Sequence, residues 1–219
     1  MSRRLEVREL GRLPYAEAWA LQRDLREQRK RGEIPDQLLL VEHPHVVTLG
    51  RNGHARNLLA PPERLRELGI DYFEIERGGD VTYHGPGQVV GYPIMDLREW
   101  KRDVVAYVRA IEEVVIRALR RFGIEGERDA GATGVWTGGA KICAIGVHIS
   151  RWVTLHGFAL NWTTDLAYFG HIVPCGLTRP VTSMEKLGVK VARESVHQAL
   201  IEEFARVFEF TESEIWQTC

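Results

Sequence analysis

Cys175 lies between Pro174 and Gly176 in the run HIVPCG at 171–176. Proline fixes the chain on one side of the sulfur, and glycine lets a substrate approach it closely on the other. A cysteine so placed can act as a nucleophile; the thiolate is the reactive form, and a nearby cation stabilises it. Lys141, His84, His148 and His171 are the side chains that could supply that cation. Lys141 opens a strand directly after Thr137-Gly138-Gly139-Ala140. Ala144, Gly146 and Gly157 are small residues on neighbouring strands and would leave a cavity beside it. Cys143 is the rival thiol. Strict strand alternation puts it on the same face as Lys141, whereas its neighbours Ile142 and Ala144 favour a buried structural cysteine. Cys219, the last residue, reads as frayed.

The stretch at 77–93, RGGDVTYHGPGQVVGYP, sets Tyr83, His84 and Gln88 among glycines. Glycine serves where the backbone turns sharply or is closely approached, so this reads as a pocket wall. Gly85-Pro86-Gly87 predicts the bend of a tight hairpin. The segment lacks the spacing of a phosphate loop and of a dinucleotide fingerprint, although its N–H groups could bind an oxyanion. The eight histidines include no HExxH or comparable ligand spacing, so no metal is expected.

These residues need elements to carry them. Residues 14–31 read as a first helix, with Pro14 suited to its first turn and Gly32 ending it. Runs at 37–42 and 46–49 read as strands parted by His43-Pro44-His45. A short helix at 63–68 and a strand at 72–76 lead into the glycine segment, and 88–95 reads as the next strand. Val104, Val108, Ile111, Val115 and Leu119 recur at helical spacing and predict one helix over 99–121. Short strands follow near Ile124 and Val135, then at 142–149 and 153–160, with hairpin connections at Gly138-Gly139 and Ser150-Arg151. A last helix covers 193–208. Helices mixed with hairpin strands predict an α/β fold of the α+β type, with a mixed, largely antiparallel sheet flanked by helices. Strict βαβ alternation is absent, which argues against a doubly wound dinucleotide fold.

At 219 residues, with 44% hydrophobic and 27% charged residues, the chain reads as one globular domain, 1–219. Its net charge of −1 gives no basic field for nucleic acid or anionic membrane. No apolar run has the length of a signal peptide or a membrane span. Three cysteines without CxxC spacing argue against a disulfide framework and point to a cytoplasmic protein with reduced thiols.

Four ordered motifs together resemble the lipoyl(octanoyl) transferase family, the octanoyl-acyl carrier protein:protein octanoyltransferases. They are RGGDVTYHGPGQVVGYPI at 77–94, GAKICAIGVHI at 139–149, HGFALN at 156–161 and IVPCGL at 172–177. Weaker echoes are EHPHVVTLGR at 42–51 and VTSMEKL at 181–187. The resemblance implies a fold similar to the catalytic domain of biotin and lipoate protein ligases. It implies that Cys175 carries the acyl group as a thioester and that Lys141 lowers the thiol's pKa. Acyl-substrate contacts would fall on Arg77, Gly78, Gly79, Asp80, Val81, Thr82, Tyr83 and His84, on Ala144, Ile145 and Gly146, and on Gly157, Phe158 and Ala159. Thr178-Arg179-Pro180 looks atypical just after the cysteine.

The implied reaction is two acyl transfers, from octanoyl-acyl carrier protein to Cys175 and then to a lysine amine. The acceptors would be lipoyl domains of 2-oxoacid dehydrogenase complexes and the glycine cleavage H protein. The donor thioester is already activated, so no cofactor, ATP or metal is called for. Arg51, Arg56 and Arg77 are candidate contacts for the carrier. Small residues at Ala144, Gly146, Gly157 and Ala159 would house the acyl tail, so Gly146→Leu is expected to weaken transfer more than folding. Two rivals keep part of the pattern. An ATP-dependent lipoate or biotin ligase needs the lysine and glycine loop but no thiol. A fatty-acyl-binding module would form no covalent adduct.

Overall fold

The computed structural model describes residues 3–172, 179–211 and 215–218. In chain order the elements are β1 (Leu5–Arg12), α1 (Tyr15–Lys30), β2 (Asp36–Glu42), β3 (Val46–Leu49), α2 (Pro62–Glu67), β4 (Asp71–Glu74) and β5 (Val81–His84). They continue as β6 (Gln88–Ile94), α3 (Val104–Arg120), β7 (Val135–Thr137), β8 (Ala140–Ser150), β9 (Val153–Asn161), α4 (Arg193–Val207) and β10 (Ile215–Thr218). Among the described residues seven strands form one sheet, ordered β10-β1-β2-β6-β9-β8-β7, and three form a second, ordered β4-β3-β5. The larger sheet is parallel only where β1 meets β10 and β2, and antiparallel elsewhere. This is the mixed, largely antiparallel α/β arrangement that the sequence predicts.

Successive residues of β2 explain its unbroken apolar run. Leu38 and Leu40 pack into one core with α3 and α4, while Leu39 and Val41 pack into another with α1. A strand buried on both faces needs no polar alternation. In α3 the buried stripe is Tyr107, Ile111, Val114, Val115, Ala118 and Leu119. Fully burying such side chains contributes roughly 1.5–3 kcal/mol each. Asp103 starts this helix, its carboxylate accepting from Ala106 N at 2.9 Å. The expected start near residue 99 is therefore too early, and Val104 is exposed rather than part of the buried stripe. Ile124 is buried without belonging to a strand. None of the described helices is long and apolar enough to cross a membrane.

Gly85-Pro86-Gly87 is a turn, closed by Gln88 N donating to Gly85 O at 3.1 Å. It is not a hairpin bend, because β5 pairs with β3 in the small sheet while β6 pairs with β2 and β9 in the large one. His43-Pro44-His45 makes the same passage from β2 to β3. Two adjacent crossings thus hold the small sheet against the large one, and the glycine segment lies at that junction.

Candidate active site

A break in strand regularity aims Lys141. Along the β7–β8 pair Trp136 faces Lys141, but Val135 faces Cys143, so β8 carries one extra residue there. Such a bulge suspends alternation. Ile142 and Cys143 both enter the core with α3, while Lys141 joins Ala144 and Gly146 on the pocket wall. The expectation that Lys141 and Cys143 share a face is therefore corrected. Cys143 is fully buried, and that burial pushes its thiol well above the usual range. It is structural.

Lys141 Nζ donates to Thr133 O at 3.2 Å and lies 4.8 Å from the centre of the Trp136 ring, over which Arg179 also stacks at 4.1 Å. Its backbone is paired with the segment that returns after residue 178. Lys141 N donates to Pro180 O at 2.9 Å and Thr182 N donates to Lys141 O at 2.9 Å. Cys175 itself, within 173–178, lies outside the described residues.

The pocket beside Lys141 encloses about 40 Å³. Of the residues expected to contact substrate, Arg77, Gly79, Asp80, Val81, Thr82, His84, Ala144, Ile145, Gly146, Gly157, Phe158 and Ala159 line it. Gly78 and Tyr83 do not. Gly78 lines the adjoining open groove of about 760 Å³, and its N–H is engaged with Val147 O at 2.8 Å. Tyr83 points into the core of the small sheet, stacked on Tyr168 with its hydroxyl 2.8 Å from His45 Nδ1. Arg56 lines the groove, and Arg51 donates to His148 Nε2 at 3.1 Å.

Tyr15, Tyr92 and His156 complete the pocket and were missed as a set. Tyr92 falls inside the stretch read as a pocket wall and His156 opens the HGFALN motif, but neither stands among the expected substrate contacts. Tyr15 comes from α1, far away in sequence. His156 is held in a left-handed conformation, φ +62°, with its N–H donating to Gln22 Oε1 at 3.1 Å. Such a backbone is costly for a residue with a side chain and marks a site worth explaining.

Buried histidines ring the junction. His43 Nδ1 faces the Leu13 carbonyl at 2.7 Å and so must donate, which leaves Nε2 to accept from the Tyr92 hydroxyl at 2.8 Å. Burial pushes His43 down to about 4 from the ordinary 6.5. Burial lowers His84 strongly as well, helped by the nearby His43 and Arg77, and it lowers His156 despite the Glu76 carboxylate 3.8 Å away. All three are neutral at pH 7. The unfolded chain binds their protons near pH 6.5, so it holds more protons than the folded chain at acid pH, and stability must fall as pH drops. His43 alone should account for on the order of 3 kcal/mol between pH 6.5 and 4. Urea midpoints of wild type and His43→Gln across that range check this: the fall should be smaller in the variant, and equal slopes would refute the assignment.

Residues 14–205 match the family described as the lipoyl protein ligase A/B catalytic domain. An octanoyltransferase of Solibacter usitatus (strain Ellin6076) is 60% identical over 204 residues, covering 93% of this chain and 93% of that relative. One from Gloeobacter violaceus (strain ATCC 29082 / PCC 7421) is 51% identical over 91% of this chain and 88% of its own. Among solved structures, lipoate-protein ligase A bound with ATP superposes with a TM-score of 0.77 at 21% identity, over 100% of this chain and 88% of that one. Biotin protein ligase from Aquifex aeolicus in complex with biotin and ATP gives a TM-score of 0.56 at 12% identity, over 93% and 70%. At such identities the two structures speak to the fold alone.

Proposed function

This chain belongs to the lipoyl protein ligase A/B catalytic-domain family and is an enzyme of the octanoyltransferase type, and on that premise we propose that Cys175 is its acyl carrier. The octanoyl group moves from octanoyl-acyl carrier protein to the Cys175 sulfur, then to the ε-amino group of a lysine on a lipoyl-accepting domain. Those domains belong to 2-oxoacid dehydrogenase complexes and the glycine cleavage H protein. The reaction takes place in the cytoplasm, where thiols stay reduced. Residues 1–219 act as a single catalytic domain.

The observation that carries this reading is the placement of Lys141. A bulge turns its amine toward the pocket, and its backbone is paired with the segment that follows Cys175. In the first step the Cys175 thiolate, held by the Lys141 ammonium, attacks the donor thioester carbon; the carrier thiolate leaves and takes the Lys141 proton, so that the amine is neutral for the next step. In the second, the acceptor amine attacks the acyl-cysteine, passes its proton to Lys141, and the Cys175 thiolate leaves. The tail lies along Ala144, Ala159 and Tyr92, where each buried CH₂ contributes about 0.8 kcal/mol.

An ATP-dependent ligase shares this fold, and the Pro-Cys-Gly setting of Cys175 favours the transferase over it. Peptide mass spectrometry after mixing with octanoyl-acyl carrier protein tests the choice. The expected result is an octanoyl adduct on Cys175 that disappears when an acceptor domain is added. Transfer from free octanoate and ATP without an adduct would establish the ligase instead, and no transfer by either route would leave an acyl-binding module.

A further inference from the structure

A chain of buried amides joins the pocket wall to the segment paired with Lys141. Asn161 Nδ2 donates to Thr182 O at 2.9 Å. That carbonyl can only accept, so Asn161 Oδ1 must face Gln88, which donates through Nε2 at 2.9 Å. Gln88 Nε2 also donates to Tyr83 O at 3.2 Å, a second carbonyl that fixes its orientation. Gln88 Oε1 is then left to accept from His84 Nδ1 at 3.2 Å. Two backbone carbonyls thereby set both amide orientations and the tautomer of His84, with its proton on Nδ1 and a lone pair on Nε2.

The other end reaches Lys141 by backbone. Thr182 N donates to Lys141 O, and Met184 N donates to Asn161 O at 3.0 Å, so Asn161 grips residues 182 and 184 by side chain and main chain. Gln88 and Asn161 are nearly inaccessible, yet both border a second small cavity of about 20 Å³ shared with Lys141, Thr82, Ala144 and Val181. Buried amides are costly unless fully bonded, and a purely apolar pair would hold a core equally well. A satisfied amide pair at this place does what apolar packing does not: it sets register and direction.

We propose that Gln88 and Asn161 are positioning residues, which hold the segment at 180–182 on Lys141 and fix the His84 wall at the same time. This rests on the acyl-cysteine reading above, since the segment so held is the one leaving Cys175. Neither amide touches a reacting atom; they act by keeping Lys141 and residues 180–182 in one geometry, where misplacement of about 1 Å can cost on the order of 100-fold in rate.

The test uses Asn161→Leu, which releases Thr182, and Gln88→Met, which keeps volume but disconnects His84 from Asn161. Single-turnover acylation by octanoyl-acyl carrier protein is followed with melting curves for all forms. The expected result is a kcat for acylation at least 10-fold lower in each variant, with KM for the donor within 2-fold of wild type. Should Asn161→Leu fail to fold, Asn161→Asp takes its place, because its carboxylate still accepts from Gln88 Nε2 but cannot donate to Thr182 O. Wild-type kcat in folded variants would overturn the proposal, as would KM and kcat worsening together in step with the melting temperature. Absence of a Cys175 adduct in wild-type enzyme would instead mark failure of the underlying reading, and the proposal would fall with it.

Discussion

Lys141→Ala enzyme is expected to carry out both half-reactions about 10²–10⁴-fold more slowly than wild type, the usual weight of a positioned acid–base group, while Cys175→Ala abolishes transfer. The bulge at Ile142 and Cys143 anchors β8 in the core independently of the lysine side chain, so the alanine variant should fold. What it loses is the amine held between the Thr133 carbonyl and the Trp136 ring. Lys141→Arg should not restore the second half-reaction, because a guanidinium keeps charge but does not accept a proton. Rapid-quench measurement of acyl-enzyme formation, then of acyl transfer to an acceptor domain, separates the steps. Wild-type rates in Lys141→Ala across the pH range would remove the lysine from the mechanism.

The placement of Lys141 also shows where sequence reading stops. Its position at a strand start after Gly138-Gly139 is visible in the residues, and so are the small neighbours that make room beside it. The bulge is not visible. Strict alternation assigns Lys141 and Cys143 to one face, and only the pairing of Val135 with Cys143 reveals the extra residue. Bulges belong to a pair of strands, and one strand's sequence does not contain its partner's register. Gly85-Pro86-Gly87 teaches the same point. A turn is legible from its residues, but whether the flanking strands pair with each other depends on β2, β3 and β9, far off in sequence.

Local signals fared better where one physical term dominates. The first helix, β2, β3 and α4 are legible within a residue or two, because each has a strong apolar period or a breaker beside it. α3 starts at Val104 rather than near residue 99 because Asp103, a good N-cap, satisfies the Ala106 N–H and ends the chain's extended approach there. β1 lies outside the elements expected from sequence although Leu5 and Val7 alternate with Glu6 and Arg8; both apolar residues are buried, and the polar pair is half-buried on the other face. β10 is four residues whose pairing with β1 no local pattern announces.

Gly157→Ala is expected to destabilise the fold by roughly 3 kcal/mol or more, at the upper end for overpacking because the obstruction is backbone. A Cβ there would stand 2.1 Å from Gly91 O and 2.7 Å from Pro93 Cδ, so β6 and β9 could not keep their approach. Gly146 behaves similarly: a Cβ would lie 2.9 Å from Gly78 O and 3.0 Å from Arg77 Cδ. The space these glycines leave is thus filled by neighbouring chain, and Gly146→Leu should lose stability along with transfer, against the expectation from sequence that the tail alone would suffer. Each kcal/mol lowers the melting temperature of a chain this size by about 2–4 °C, so Gly157→Ala should melt roughly 6–12 °C below wild type. Gly170→Ala is the control, since nothing lies within 4 Å of a Cβ at that position and its melting point should hold. If Gly157→Ala melts with wild type and only octanoyl transfer falls, Gly157 makes room for substrate rather than for β6.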